Sequence, residues 1–152
     1  VDKIQAQQIN QPEKIAFGIL FSCWLIAMVS MLGSLFFSEV MGLEPCMLCW
    51  YQRIFMYPLV VIFLFAMYPV DKSVIRYSLP LAVIGWCFAF YHYLLYSGYI
   101  PEGMQPCGQG PSCAKIDLEL FGFITIPMMS ILSYTAIIVL LLLLKKIELK
   151  KA

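Results

Sequence analysis

Charge is scarce in this chain. Only 12% of its 152 residues are Asp, Glu, Lys or Arg, roughly half the share of an ordinary soluble domain. Long polar or Gly/Ser-rich stretches are missing too, which leaves no room for a second, soluble domain, so residues 1–152 read as one integral membrane domain. A net charge of +1 gives no electrostatic footprint for nucleic acid. What fills the chain instead is apolar: 62% of residues are hydrophobic.

Four charge-free apolar stretches run from Ile15 to Ser38, Ile54 to Val70, Tyr77 to Pro101 and Leu120 to Leu144. A bilayer-spanning helix needs about 20 mostly apolar residues. The second stretch is short from Ile54, so its helix is expected to start near Pro45, with Arg53 in its upper turns. None of the four shows the polar face that a buried helix of a soluble protein needs. The expected fold is therefore all-α: a four-transmembrane-helix bundle, up-down-up-down, with helices at about 15–38, 45–70, 77–100 and 120–144.

Lys and Arg in short connections set the orientation. Lys3, Lys14, Lys72, Arg76, Lys145, Lys146, Lys150 and Lys151 fall on one side, and only Arg53 and Lys115 on the other. Both termini are thus expected in the cytoplasm, with outer loops at about 39–45 and 101–119. Helix one carries Lys14 ahead of it like a signal peptide, but its apolar run is too long and lacks a small-residue cleavage pattern. It reads as retained.

On this topology the six cysteines separate into three kinds. Cys23 and Cys87 lie within helices one and three, where buried cysteine behaves as a small hydrophobe. Cys46 and Cys49 open helix two at the outer face. Cys107 and Cys113 sit in the second outer loop, among Pro101, Gly103, Pro106, Gly108, Gly110 and Pro111, a composition suited to an exposed loop that offers its disulfide to another protein. Disulfides persist on the extracytoplasmic side, and a loop bridge is more labile than one in a packed core. A local staple is the competing reading of this loop.

Pro45 suits a first helical turn, which puts Cys46 among unpaired N–H groups at the positive end of the helix, where a thiol's pKa falls. Residues 46, 49 and 53 follow i, i+3, i+7 spacing, so both sulfurs and Arg53 share a face. A guanidinium there stabilises a thiolate or an anionic acceptor beside it, and an ionisable residue at that depth points to function. The alternative for Arg53 is an interfacial side chain reaching to water. A zinc reading needs two further ligands, which Cys107 and Cys113 could supply. His92, the only histidine, stands near the outer end of helix three, as a hydrogen-bonded core residue or as a donor to a bound carbonyl or a proton relay. Nine methionines, spread along every helix, fit packing and lipid contact rather than metal transport.

Taken together, these residues resemble the DsbB-type disulfide-bond formation proteins, especially the short Gram-positive branch called BdbC. The likeness runs through Ala27 to Glu39 (AMVSMLGSLFFSE), Pro45 to Arg53 (PCMLCWYQR), Met56 to Val60 and Phe121 to Pro127 (FGFITIP). PCxxCxxxR at the start of helix two is its most specific element. The resemblance implies a quinone-dependent thiol oxidase of the bacterial cytoplasmic membrane, with its redox cysteines on the extracytoplasmic side. Its partner would be a DsbA-like (BdbD-like) thioredoxin-fold protein, its acceptor a membrane quinone, menaquinone ahead of ubiquinone, with no metal. Carried over, Cys107 looks like the sulfur attacked by the partner and Cys113 its mate. Cys46 looks like the sulfur that exchanges with the loop pair, Cys49 the one that contacts quinone, and Arg53 and His92 match quinone-side positions. The loop cysteines here stand six positions apart, closer than in the proteobacterial branch, and Gln52 replaces its usual Glu. Two rivals remain at this point. One is a quinone reductase resembling the VKOR type, whose CxxC usually lies on the last helix of the bundle. The other is a non-enzymatic structural or metal-binding membrane protein with stapled outer loops.

Overall fold

The computed structural model describes residues 11–104 and 125–151. Cys107, Cys113 and Lys115, with the rest of 105–124, lie outside them. Four long helices carry the fold: α1 (Gln11–Leu35), α2 (Met47–Ala66), α3 (Ile75–Tyr96) and α4 (Ile126–Lys151). All four are long and apolar enough to cross a membrane. Each packs against its neighbours in sequence, and α1 against α4 closes the ring. Lys72 pairs with Glu148 while Gly85 meets Tyr134, so α3 and α4 run antiparallel. The chain is a four-helix membrane protein.

The hydropathy is distributed as lipid demands. Phe21, Leu25 and Val29 on α1, Val61 and Phe65 on α2, and Leu142 and Leu143 on α4 all face outward. That much contiguous apolar surface would be an aggregation hazard in water. The inward faces carry small residues that let helices approach, such as Ala27, Ala82 and Ala89, around Leu59, Phe63 and Ile137. Close approach of this kind supplies the dispersion contacts that hold membrane helices together. Gly85 is the extreme case: a Cβ there would lie only 2.6 Å from the Tyr134 hydroxyl. Cys23 is buried in this core, as its apolar setting suggests, but Cys87 is exposed on the outer face of α3. The expectation of a buried Cys87 is corrected: its position on the helix wheel turns it away from the core.

Helix ends depart from the hydropathy limits for local reasons. Alpha-3 stops at Tyr96, not near 100, because Gly98 takes φ 77°. The N–H of Tyr99 then bonds the carbonyl of Leu94 and that of Gly98 the carbonyl of Leu95, a left-handed cap that uses up terminal carbonyls. Alpha-2 ends at Ala66, ahead of Pro69, which has no N–H to continue the ladder. Its start is also shifted. Pro45 lies outside the helix, and Cys46 is the N-cap, with φ −70° and ψ 169°. Alpha-1 widens after Leu35 into a π-helical turn, Phe36–Val40, a feature often found beside functional sites. Alpha-4 begins at Ile126 with Pro127 in its first turn, where a missing N–H costs nothing.

Candidate active site

The N-terminal end of α2 brings four of the predicted site residues together. Cys46 and Cys49 are free thiols with their sulfurs 3.2 Å apart. A disulfide is about 2.05 Å, so closure requires only a small side-chain rotation. Cys46 is 1% exposed and packs with Leu48 and Leu95, with Ile100 against them. The cover over this sulfur thus includes the start of the connection that leads from α3 toward Cys107.

His92, fully buried on α3, approaches Cys46 from the side: its Nε2 is 3.7 Å from the Cys46 sulfur. Its other nitrogen, Nδ1, is 3.0 Å from the amide nitrogen of Gln52. When that amide donates to Nδ1, the ring proton sits on Nε2 and points at the sulfur. The Cys46 thiol is held well below its ordinary range, at about 4. The chief cause is hydrogen bonding from the Cys49 thiol. Burial opposes it, and His92 and the Cys49 backbone N–H add to the lowering. A thiolate at a helix start beside an imidazole is a recognised route to an acidic cysteine.

Arg53 lies one turn further into the membrane and is only 8% exposed. Its Nε donates to the Ser34 hydroxyl at 2.8 Å and one terminal nitrogen to the Ser34 carbonyl at 2.7 Å. Trp50 stacks on it, 5.4 Å from ring centre to guanidinium carbon. Ser34 stands just before the π-helical turn, so the irregular end of α1 is where the guanidinium is clamped. Among the described residues no carboxylate pairs with Arg53. A buried, unneutralised cation makes its surroundings favourable for negative charge.

Between α1, α2 and α4 lies a mostly apolar cavity of about 270 Å³, lined by Cys49, Arg53, Ser34, Met56, Tyr57 and Tyr134 among others. Cys46 and His92 are not part of its lining. The two sulfurs therefore face different ways: Cys49 toward the cavity, Cys46 toward the imidazole. His92, expected on the quinone side by resemblance, lies beside the dithiol and is not among this cavity's lining residues. Tyr57 is the residue that sequence reasoning passed over. It follows Cys49 and Arg53 at i+8 and i+4 on one stripe of α2, and its hydroxyl is buried without a hydrogen-bond partner among the described residues. Tyr134, from α4, donates to the Gln52 carbonyl at 2.7 Å and locks α4 against the site.

An acidic, imidazole-backed CxxC beside an apolar cavity with a cation in its wall is the equipment of a membrane dithiol–disulfide enzyme. The profile of the family "Disulfide bond formation protein DsbB" matches residues 16–144. The chain belongs to the DsbB family. Relatives within reach include a probable disulfide formation protein of Metapseudomonas resinovorans, 45% identical over 90% of this chain and 95% of its own. Disulfide bond formation protein C of Bacillus subtilis is 44% identical over 83% of this chain and 91% of its own. A probable disulfide formation protein of Coxiella burnetii is 42% identical over 75% and 78%. No solved structure matches the chain. Membership of the DsbB family implies disulfide oxidoreductase activity.

Proposed function

We propose that this protein is a quinone-dependent thiol oxidase that reoxidises an extracytoplasmic DsbA-like protein. The observation that carries the reading is the cavity beside Cys49, whose lining holds the buried cation Arg53 and a Tyr57 hydroxyl without a hydrogen-bond partner among the described residues. A quinoid ring has an apolar body with two oxygens on opposite edges. Arg53 spends two N–H groups on Ser34 and has others left of the five a guanidinium carries. Arg53 and Tyr57 thus provide donors at two heights along one helix face, in a cavity whose lining is otherwise mostly apolar, with Glu44, Gln52 and several serines among it. When bound, the quinone accepts two electrons and two protons as the dithiol closes to a disulfide, and leaves as quinol.

The chain's own groups handle the thiol chemistry. The partner's dithiol reduces a Cys107–Cys113 disulfide, whose sulfurs then exchange with the Cys46–Cys49 disulfide, leaving the latter as the two thiols found here. Each transfer is a thiolate attack on a disulfide sulfur. Cys46, acidic and backed by His92, is the sulfur that exchanges with the loop pair, and His92 takes or returns its proton. Opening of the Leu95–Ile100 cover is the step that admits the loop. Cys49 serves the cavity side, whose wall it shares with Arg53. Lys72, Arg76 and Lys145 cluster at the opposite end of the bundle from the dithiol, a distribution that under the positive-inside rule supports reading the dithiol as extracytoplasmic.

The deciding experiment incubates purified protein with a reduced thioredoxin-fold partner and a short-chain quinone, following quinone absorbance. Wild type should reduce one quinone for every two partner thiols oxidised to a disulfide, and Cys49→Ser should abolish it. A wild type that leaves the quinone untouched, or a Cys49→Ser variant with full turnover, overturns the reading.

A further inference from the structure

The reduced dithiol, His92 and Gln52 form an arrangement that thiol exchange alone does not call for. The sulfurs of Cys46 and Cys49 and a ring nitrogen of His92 all lie within 4.8 Å of one another. A tetrahedral ion with metal–sulfur bonds near 2.3 Å and metal–nitrogen bonds near 2.0–2.1 Å sets its ligand atoms about 3.8 Å apart for two sulfurs and about 3.5 Å for sulfur and nitrogen. Cys46 to His92 is 3.7 Å, close to that edge length. Cys46 to Cys49 is 3.2 Å, so one sulfur must draw back by roughly half an ångström.

We propose that the reduced form of this protein binds one soft d¹⁰ ion, Zn²⁺ or Cd²⁺, through Cys46 Sγ, Cys49 Sγ and His92 Nε2, with a fourth position left to water. Soft thiolates with one imidazole select such ions over Mg²⁺ or Ca²⁺, which want oxygen ligands. Gln52 completes the set from outside. A metal-bound imidazole donates its other N–H to a neighbour that fixes tautomer and ring plane. Gln52, whose amide nitrogen stands 3.0 Å from Nδ1 in the metal-free protein, would fill that place with its amide flipped so that the oxygen accepts. Two thiolates cancel the charge of a divalent ion, so the loaded site is neutral, as a buried position needs.

The step involves no electrons. The Cys49 S–H bond breaks, as does that of Cys46 where it is still protonated, and each proton leaves to water; two metal–sulfur bonds and one metal–nitrogen bond form. Both sulfurs must be reduced, so the oxidised pair binds nothing. The ion would hold the dithiol open, and disulfide closure would wait until the metal is removed. This inference goes beyond the oxidase reading and its test needs no quinone.

The test uses the full chain in detergent micelles, reduced, freed of reductant, and given one equivalent of Zn²⁺. X-ray absorption at the zinc edge should show two sulfurs near 2.3 Å, one imidazole nitrogen near 2.0–2.1 Å and one further light atom. Chelator competition should show Gln52→Leu weakening affinity by about 10- to 100-fold, and His92→Asn by at least as much. Four sulfurs, which would mean that Cys107 and Cys113 join the pair, overturn the proposal. So do a shell without imidazole, equal binding by oxidised protein, or no retention against the chelator. The wild-type spectrum decides even where a variant fails to fold.

Discussion

Replacing Tyr57 by Phe removes a single oxygen, and its present position makes two opposite effects expected. The hydroxyl is buried with no hydrogen-bond partner among the described residues. Leaving such a group unpaired costs about 1–3 kcal/mol relative to a satisfied one. With the cavity empty, Tyr57→Phe should therefore unfold at a higher temperature than wild type. With a quinone in the cavity, the same hydroxyl gains an acceptor. A neutral hydrogen bond contributes about 0.5–1.5 kcal/mol net, which at room temperature converts to a roughly 2- to 13-fold rise in KM for the quinone when it is lost. The variant should thus be more stable alone, less stabilised by quinone, and weaker in quinone affinity, while its exchange with the reduced partner stays unchanged. Thermal unfolding in micelles with and without a short-chain quinone, alongside steady-state kinetics, reads all of this. A Tyr57→Phe protein of unaltered stability and unaltered KM would show that the hydroxyl is satisfied elsewhere and plays no part in acceptor binding.

Other consequences are as direct. Arg53→Leu should lower kcat/KM for quinone by about 10- to 150-fold, the equivalent of one charge-assisted hydrogen bond of about 1.5–3 kcal/mol. Arg53→Lys should recover only part of it, since an ammonium cannot reproduce the fork that grips both Ser34 oxygens; full activity in Arg53→Lys would reduce the role to bare charge. Gly85→Ala should destabilise the fold by about 2–4 kcal/mol in a denaturant titration, the sum of overpacking against Tyr134 and loss of its bond to Gln52. Wild-type stability there would mean that Tyr134 is not held as described. A lowered thiol pKa leaves the thiolate dominant at every pH above it. The ultraviolet thiolate absorbance of reduced Cys46 should therefore persist down to about pH 4, instead of vanishing below the ordinary thiol range near 8.5. His92→Ala should move that loss to higher pH.

The parts of this site that were legible in the sequence are those that depend on one helix. The four spans follow from uninterrupted apolar runs. The joint placement of Cys46, Cys49 and Arg53 near the start of α2 follows from helical spacing. What the spacing could not give is which neighbour each side chain meets. Residues at i, i+3 and i+7 share a face about one quadrant wide, yet α3 comes up against one margin of it and α1 against the other. So Cys46 meets His92 while Arg53 meets Ser34, and the pair is split between two environments. The same reason hides Tyr57, whose significance lies in lacking a partner, a property of the packed bundle. Local chemistry set the remaining differences: Gly98 cuts α3 short by its left-handed cap, and the helix wheel turns Cys87 outward although its neighbours in sequence are as apolar as those of Cys23.

That split also bears on how the roles of the two sulfurs divide. Had both thiols faced the cavity, either could serve the acceptor, and the pair would have no intrinsic direction. Here Cys46, first in the chain order, packs with Leu95 and Ile100 and is backed by an imidazole, and Cys49 opens on the cavity with Arg53. Exchange with a loop disulfide requires a thiolate that can leave and attack repeatedly, which a hydrogen-bonded, acidic Cys46 provides. Delivery to a membrane acceptor requires a sulfur within the apolar wall, which is Cys49. Swapping the two environments should therefore be asymmetric in effect. Cys46→Ser should block transfer from the loop pair yet leave chemically reduced protein able to present the Cys49 thiol to quinone. Cys49→Ser should still form a mixed disulfide between Cys46 and the loop. Thiol trapping followed by mass mapping distinguishes the two variants, and a Cys49→Ser protein whose loop disulfide links to nothing at Cys46 would show that the division runs the other way.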